Sequence, residues 1–68
     1  MDNAFGKNLK ELRILKGIGQ IQLANDLGVS NGIISMWETG QREPTMSSLI
    51  IIAKYFGVSI DFLVGLEK

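Results

Sequence analysis

The spacing of apolar residues along the chain predicts short amphipathic helices. Phe5, Leu9 and Leu12 recur at intervals of four and three residues, and Leu15 extends the series. This is the spacing of one buried face of a helix, so residues 4–16 are predicted to form the first helix.

Four further helices follow from the same kind of pattern. The second begins at Gln20, the third runs from Asn31 to about Glu38, and residues 40–44 form a loop before the fourth and fifth. The predicted buried positions of helices two to four are Leu23, Ala24, Leu27, Ile34, Trp37, Leu49, Ile52, Ala53 and Phe56. The predicted N-caps are Asn3 or Asp2, Ser30, Thr45 and Ser59, and the glycines placed to end helices are Gly17, Gly28, Gly57 and Gly65.

These elements predict the fold class and the domain organisation. No stretch alternates apolar and polar residues for long enough to form a strand. An all-α fold of five short helices around one core is therefore expected, with residues 1–68 as a single domain and its core within about 4–65.

Composition excludes most enzyme chemistry. The 68 residues contain seven basic and seven acidic side chains, with no His and no Cys. Disulfides, thiolate nucleophiles, Cys-type zinc sites and imidazole bases are therefore absent, and we expect neither a metal nor a cofactor. The longest apolar run, residues 49–53, is too short to span a membrane, and the first ten residues carry no signal-peptide core. A soluble, cytoplasmic protein without membrane attachment is expected.

The segment from Gln20 to Thr39 is the most informative for function. Two predicted helices are joined by Gly28-Val29-Ser30, and a turn this short makes them cross steeply, so the second helix protrudes. Its residues Ile34 and Trp37 face the core. The residues predicted on its outward side are Asn31, Gly32, Ser35, Met36 and Thr39. A protruding helix with small, polar or slim apolar side chains suits the major groove of DNA. Taken alone, the pattern is more often an ordinary surface helix pair.

A wider set of motifs changes that balance. The chain carries Phe5-Gly6-Lys7-Asn8-Leu9-Lys10-Glu11-Leu12-Arg13, Gln20-x-x-Leu23-Ala24, Leu27-Gly28-Val29-Ser30, Ile34-Ser35-x-Trp37-Glu38-x-Gly40, Arg42-x-Pro44 and Ala53-x-x-Phe56-Gly57-Val58-Ser59. Over roughly residues 5–65 it closely resembles the phage Cro/CI-type (XRE-like) helix-turn-helix repressor family. The resemblance implies a five-helix, lambda-repressor-like domain of bacterial or phage origin. It also implies a transcriptional regulator, with repression the expected action, whose third helix enters the major groove of double-stranded DNA.

The resemblance also assigns roles to residues. Gln20 matches a position that contacts a phosphate or a neighbouring base, and Asn31, Gly32 and Met36 match positions that meet base edges. Asn31 is suited to adenine, and Ile33 or Met36 to a thymine methyl group. The full predicted DNA-binding set is Gln20, Ser30, Asn31, Gly32, Ile33, Ser35, Met36, Thr39, Gln41 and Arg42. The alternative is that Asn31, Met36 and Arg42 are ordinary solvated surface residues.

Two further predictions concern residues outside the third helix's outward face. Arg13 and Glu38 match a pair that bridges the first helix to the end of the third, and the alternative is two separate solvated charges. A self-association surface is predicted on the fourth and fifth helices. Its residues are Ile50, Ile51, Tyr55, Phe62 and Leu66. The alternative there is that so small a chain leaves some apolar atoms exposed.

The charge distribution favours a dimer. No basic residue lies between Asn25 and Gln41, and only Arg42 clearly flanks the third helix. A monomer should therefore bind DNA weakly, whereas a two-fold homodimer on a palindromic operator would double the contacts.

The competing hypothesis is a protein-interaction module, antitoxin-like or an anti-regulator, that uses exposed isoleucines of the fourth helix. An enzyme is not expected. Glu38 and Glu43 flank a loop and could act as a pair of carboxylates, but such a pair needs a cleft, and so small a domain has little room for one.

Overall fold

A computed structural model describes residues 3–67, and over that range the chain forms five α-helices and no strand. The helices are α1 (Ala4–Lys16), α2 (Gln20–Leu27), α3 (Asn31–Thr39), α4 (Met46–Phe56) and α5 (Ile60–Leu63). The predicted all-α fold and the order of its helices are confirmed, and α3 extends one residue beyond its predicted end at Glu38. No helix in the described part of the chain is long and apolar enough to cross a membrane.

Hydroxyl and carboxamide side chains cap the helices where the sequence predicted them. Asn3 accepts a hydrogen bond from the Gly6 amide at 3.2 Å, while Asp2, the alternative cap of α1, lies outside the described residues. The caps of α3, α4 and α5 are Ser30, Thr45 and Ser59, and each accepts from an amide three residues later. Each cap satisfies a backbone donor that would otherwise lack a partner in the first helical turn.

Gly28 makes the tight turn between α2 and α3. Its φ is 74°, in the left-handed region that side chains with a Cβ disfavour. The Val29 amide then donates to the Ala24 carbonyl at 3.0 Å, which closes the end of α2. Because the chain reverses within three residues, α3 begins directly beside α2 and packs across it.

The core lies between all five helices. Its buried members are Leu9, Leu23, Ala24, Ile34, Trp37, Leu49, Ile52, Ala53 and Leu63. Ile34 and Trp37 are among them, as predicted, so α3 is attached to the core by one side.

The prediction for Leu15 was wrong, since its side chain is 83% exposed. At about 100° per residue, Leu15 projects roughly 90° from the middle of the Phe5, Leu9 and Leu12 stripe.

A close contact between backbones joins α1 to α3. Gly6 is buried, and a Cβ at that position would lie only 2.5 Å from the Trp37 carbonyl oxygen. Asn3 strengthens the same contact, because its Nδ2 donates to the Glu38 carbonyl oxygen at 3.2 Å. The absence of a side chain at Gly6 therefore sets how closely α1 approaches α3.

Candidate nucleic-acid interface

The outward side of α3 is formed by small and polar residues. Asn31, Gly32 and Thr39 are exposed, and Ser35 and Met36 are half-exposed. Since the opposite side is buried in the core, this helix can present its free side to a groove without rearrangement.

Ile33 differs from the other predicted base-contacting residues. It is half-buried and packs against the core cluster. Part of its side chain is thus turned inward, which reduces the surface available for a thymine methyl group. Met36 retains the larger freedom for that contact, because it is half-exposed and absent from the core packing.

The hydroxyl groups at the two ends of α3 differ in the hydrogen bonds they can still donate. Ser30 accepts from the Ile33 amide at 3.3 Å, so its own proton is available to an outside acceptor. The Thr39 hydroxyl instead donates to the Ser35 carbonyl at 3.0 Å. A hydroxyl has only one proton, so Thr39 can donate to a phosphate only by releasing this bond. Ser30 is therefore the better placed of the two for a phosphate contact.

A groove of about 300 Å³ separates the first turn of α3 from the first turn of α4. Its polar lining includes Ser30, Arg42, Glu43, Thr45 and Ser48. Thr45 donates to the Ser48 oxygen at 3.0 Å and accepts from the Ser48 amide at 3.1 Å. The Ser48 hydroxyl proton is thereby left free to point outward. Arg42 and its chain neighbour Gln41 are exposed. The groove thus brings together hydrogen-bond donors from the start of α3, the loop after α3 and the start of α4.

Gln20 is held within the protein at the beginning of α2. Its Nε2 donates to Glu38 Oε1 at 3.0 Å. The second Nε2 proton can still reach an outside acceptor. Gly19 precedes it as an N-cap without a side-chain hydrogen bond, so no side chain caps the first-turn amides of α2. These amides give this helix end a partial positive charge.

Arg13 and Glu38 form a bidentate ion pair that joins α1 to the end of α3. Arg13 Nε donates to Glu38 Oε2 at 2.7 Å, and Arg13 Nη2 donates to Glu38 Oε1 at 3.0 Å. Arg13 Nη1 also donates to the Ile18 carbonyl at 3.1 Å. The side chains are 12% and 4% exposed, respectively. With Gln20 bound to the same carboxylate, this network connects α1, the α1–α2 turn, α2 and α3.

The network controls the protonation of Glu38. Burial by itself would raise the pKa of this carboxyl group. Hydrogen bonds from Arg13 and Gln20, with the positive charges of Arg13 and Lys10, outweigh burial and hold the pKa below its ordinary value of 4.5. Glu38 is therefore ionised in the folded protein at neutral pH.

The depressed pKa of Glu38 predicts a loss of stability in acid. The ion pair contributes fully above the ordinary carboxyl pKa of 4.5, and this contribution disappears as the pH falls through the lower pKa of the folded state. Denaturant titrations of the wild-type chain and Glu38→Gln between pH 7 and pH 3 measure the effect. The stability difference between them should shrink with decreasing pH, and a difference that stays constant over this range would contradict the assignment.

The five predicted self-association residues differ in exposure and in the direction that they face. Ile50, Ile51 and Leu66 are exposed by 40%, 50% and 75%. Tyr55 packs partly against the core, and its hydroxyl donates to Asp26 Oδ2 at 2.5 Å. Ile51 lines a narrow cleft that also contains Leu27. Tyr55 and Ile51, one helical turn apart, thus face α2, whereas Ile50 points about 100° away around α4.

Several contacts around Tyr55 and Asp26 could not be predicted from the sequence. Lys16 Nζ lies 4.9 Å from the centre of the Tyr55 ring, so Lys16, Tyr55 and Asp26 tie together α1, α4 and α2. Asp26 also accepts from Gln22 at 2.7 Å, and the hydrogen bond to Asp26 raises the pKa of Tyr55 above its ordinary value. No local signal marks such a cluster, because residues 26 and 55 are brought together only by the folded chain.

Five helices, a three-residue turn and a protruding α3 define a helix-turn-helix protein. A helix-turn-helix family model matches residues 9–63. The chain belongs to the Cro/CI-type (XRE) helix-turn-helix family, as the sequence motifs predicted.

Relatives and a solved structure share this domain. The chain is 45% identical to the HTH-type transcriptional activator BcrR of Enterococcus faecalis over 64 residues, 94% of this chain and 31% of that protein. It is 37% identical to the SPbeta prophage-derived HTH-type transcriptional regulator YonR of Bacillus subtilis over 59 residues, 87% of this chain and 55% of that protein. The chain thus spans only about a third to a half of these relatives.

The structural similarity extends to a repressor solved on its operator. The P22 c2 repressor protein in complex with synthetic operator 9T superimposes with a TM-score of 0.86 and 32% identity. The match covers 93% of this chain and 96% of that one. The lambda-repressor-like architecture predicted from the sequence is confirmed by this match.

Proposed function

We propose that this chain binds double-stranded DNA sequence-specifically as the DNA-binding unit of a transcriptional regulator, with α3 in the major groove. The observation that carries the proposal is the free outward side of α3, from Asn31 to Met36, in a fold that matches an operator-bound repressor. Repression is the expected action, which the c2 repressor supports, and the expected setting is a bacterial cytoplasm.

The arrangement suggests a division of roles between bases and phosphates. Asn31 lies exposed in the first turn of α3, the part of a recognition helix that approaches base edges, and its carboxamide can pair with adenine. Arg42, Ser30 and the first turn of α4 flank it with donors for the DNA backbone. The uncapped beginning of α2 offers further backbone amides. About three neutralised phosphates per protomer would give a salt slope near −3.

Asn31→Ala and Arg42→Ala should weaken DNA binding in different ways. Asn31→Ala should cost about 1–3 kcal/mol on the preferred sequence and almost nothing on scrambled DNA, because only base contacts are lost. Arg42→Ala should weaken binding to both duplexes and reduce the salt slope by about 1. The probe is the duplex that the wild-type chain enriches from a random-sequence library, and affinities are measured from 50 to 200 mM salt.

Asn25→Ala is the matched control for this experiment. Asn25 is exposed on α2, so the same substitution there should change neither affinity nor preference. Equal losses on all sequences for Asn31→Ala would exclude a base-reading role for that residue. A wild-type chain that enriches no sequence would reject the proposed function.

The second part of the proposal is a homodimer on a palindromic operator, with half-sites about one helical turn apart. Because Tyr55 and Ile51 face α2, the self-association surface is reduced to Ile50, Phe62 and Leu66. Phe62 supports this choice, since it is half-buried without packing against the core cluster. A two-fold arrangement would double the few basic contacts available to each protomer.

Ile50→Glu should abolish self-association and leave the fold intact, because an exposed charge opposes burial of this surface. Ile14→Glu is the matched control, since Ile14 is 57% exposed on α1 and is not a member of the proposed surface. Sedimentation equilibrium from 1 to about 100 µM should show a dimer for the wild type and Ile14→Glu, and a monomer for Ile50→Glu. A wild type that stays monomeric throughout would remove the dimer proposal.

A further inference from the structure

Gly32 is the one glycine inside a helix of residues 3–67 for which the fold supplies no requirement. All eight glycines lie within the described residues, and five of them have a positive φ: Gly17, Gly28, Gly40, Gly57 and Gly65. Gly6 has no room for a Cβ, and Gly19 occupies an N-cap, where glycine is well tolerated. Of the atoms in the described part of the chain, a Cβ at Gly32 would meet only the Ser30 oxygen, at 4.0 Å, which is ordinary contact.

Glycine at this position costs the protein stability. Gly32 is the second residue of α3, and glycine is less favourable than alanine within a helix. Nothing in residues 3–67 compensates, since Gly32 has no positive φ and no close neighbour occupies the place of its missing side chain. The empty space on the outward side of α3 is therefore explained by a group that approaches from outside.

Met36 identifies the chemistry of that group. It lies four residues after Gly32 on the same side of α3, so the two positions are neighbours on the helix surface. Its side chain is half-exposed, so an apolar group placed over the Gly32 backbone would have an apolar neighbour one helical turn away. The apolar group that DNA presents in the major groove is the 5-methyl group of thymine.

We propose that Gly32 and Met36 form a notch that receives a thymine methyl group, which makes Gly32 a specificity-determining residue. This inference rests on the proposed DNA-binding function and adds to it a base preference that depends on a missing side chain. An added Cβ at residue 32 would occupy the position of the methyl group. Removing the methyl group from the DNA should therefore restore binding to a protein that carries the Cβ.

The test combines Gly32→Ala with thymine-to-deoxyuridine substitution in the duplex that the wild type enriches from a random library. Each thymine is replaced in turn, which removes one methyl group at a time. The wild type should lose about fourfold in affinity at one position of the half-site, the value of one buried methyl group. Gly32→Ala should bind the thymine duplex about tenfold more weakly than the wild type and recover most of this loss on deoxyuridine at that same position.

Stability measurements exclude a folding defect as the cause. Gly32→Ala should raise the unfolding midpoint, by up to about 5 °C, while its affinity falls. Met36→Ala should reduce the wild type's preference for thymine over deoxyuridine at the same position, and Asn25→Ala should leave it unchanged. Three outcomes would each overturn the proposed notch. Gly32→Ala could bind with wild-type affinity, its affinity could recover on deoxyuridine at no position, or the enriched half-site could contain no thymine. A wild type without any sequence preference would instead reject DNA reading itself.

Discussion

Gly6→Ala is expected to lower the free energy of unfolding by about 2–3 kcal/mol, the usual cost of forcing an extra group into a filled space. The new Cβ would lie 2.5 Å from the Trp37 carbonyl oxygen, which belongs to the backbone and cannot rotate away. It would also crowd the Asn3 carboxamide, which caps α1 and donates to the Glu38 carbonyl. The substitution therefore has to push α1 away from α3.

Gly32→Ala is the matched control, because it makes the same chemical change in the first turn of another helix. With open space around that position, it should stabilise the protein by up to about 1 kcal/mol. Urea titrations of both variants and the wild type give the comparison. Gly6→Ala with wild-type stability would mean that α1 and α3 can separate without cost, and that this contact does not fix the position of α3.

The boundaries of the helices were predictable because their signals are local. Ser30 and Thr45 cap helices within three residues of themselves, and Gly28 needs only its own φ to end α2. Leu15 shows the limit of that reasoning. Its spacing from Leu12 fits a helix, but only the three-dimensional arrangement determines whether another element covers the end of the stripe.

The candidate interface was predictable in outline and not in its connections. The outward positions of Asn31 and Gly32 follow from helical geometry once Ile34 and Trp37 are placed in the core. The bond from Gln20 to Glu38 does not, because the two residues are 18 apart in sequence and meet only through packing. The hydrogen bond from Tyr55 to Asp26 could not be predicted either, because the two residues are 29 apart in sequence.

The end of α3 is an unfavourable place for a carboxylate unless it has a tertiary partner. Glu38 is the next-to-last residue of the helix, where the backbone already carries partial negative charge. The carboxylate nevertheless accepts three side-chain hydrogen bonds, two from Arg13 and one from Gln20. We infer that its contribution is to hold α3 against α1 and α2, since its effect on the helix itself opposes folding.

Glu38→Ala is accordingly expected to destabilise the chain by about 2–4 kcal/mol, somewhat less than removing one partner from a fully buried pair costs, because this pair is partly buried. Among residues 3–67, Arg13 would keep only the Ile18 carbonyl as a partner, with a side chain that is 12% exposed in the wild type. Glu11→Ala is the matched control, because Glu11 is exposed on α1 and its loss should change stability by less than about 0.5 kcal/mol.

The double variant Arg13→Met/Glu38→Leu distinguishes the contribution of the two charges to stability from the contribution of the volume that the two side chains fill. Two apolar side chains of similar volume leave no buried charge without a partner, so this variant should be more stable than Glu38→Ala alone. It should still bind the preferred duplex less tightly than the wild type, because the bidentate geometry that orients the end of α3 is gone. If Glu38→Ala were as stable as Glu11→Ala, the ion pair would not hold α3 in place. The apolar side of α3, with Ile34 and Trp37, would then be sufficient to orient it.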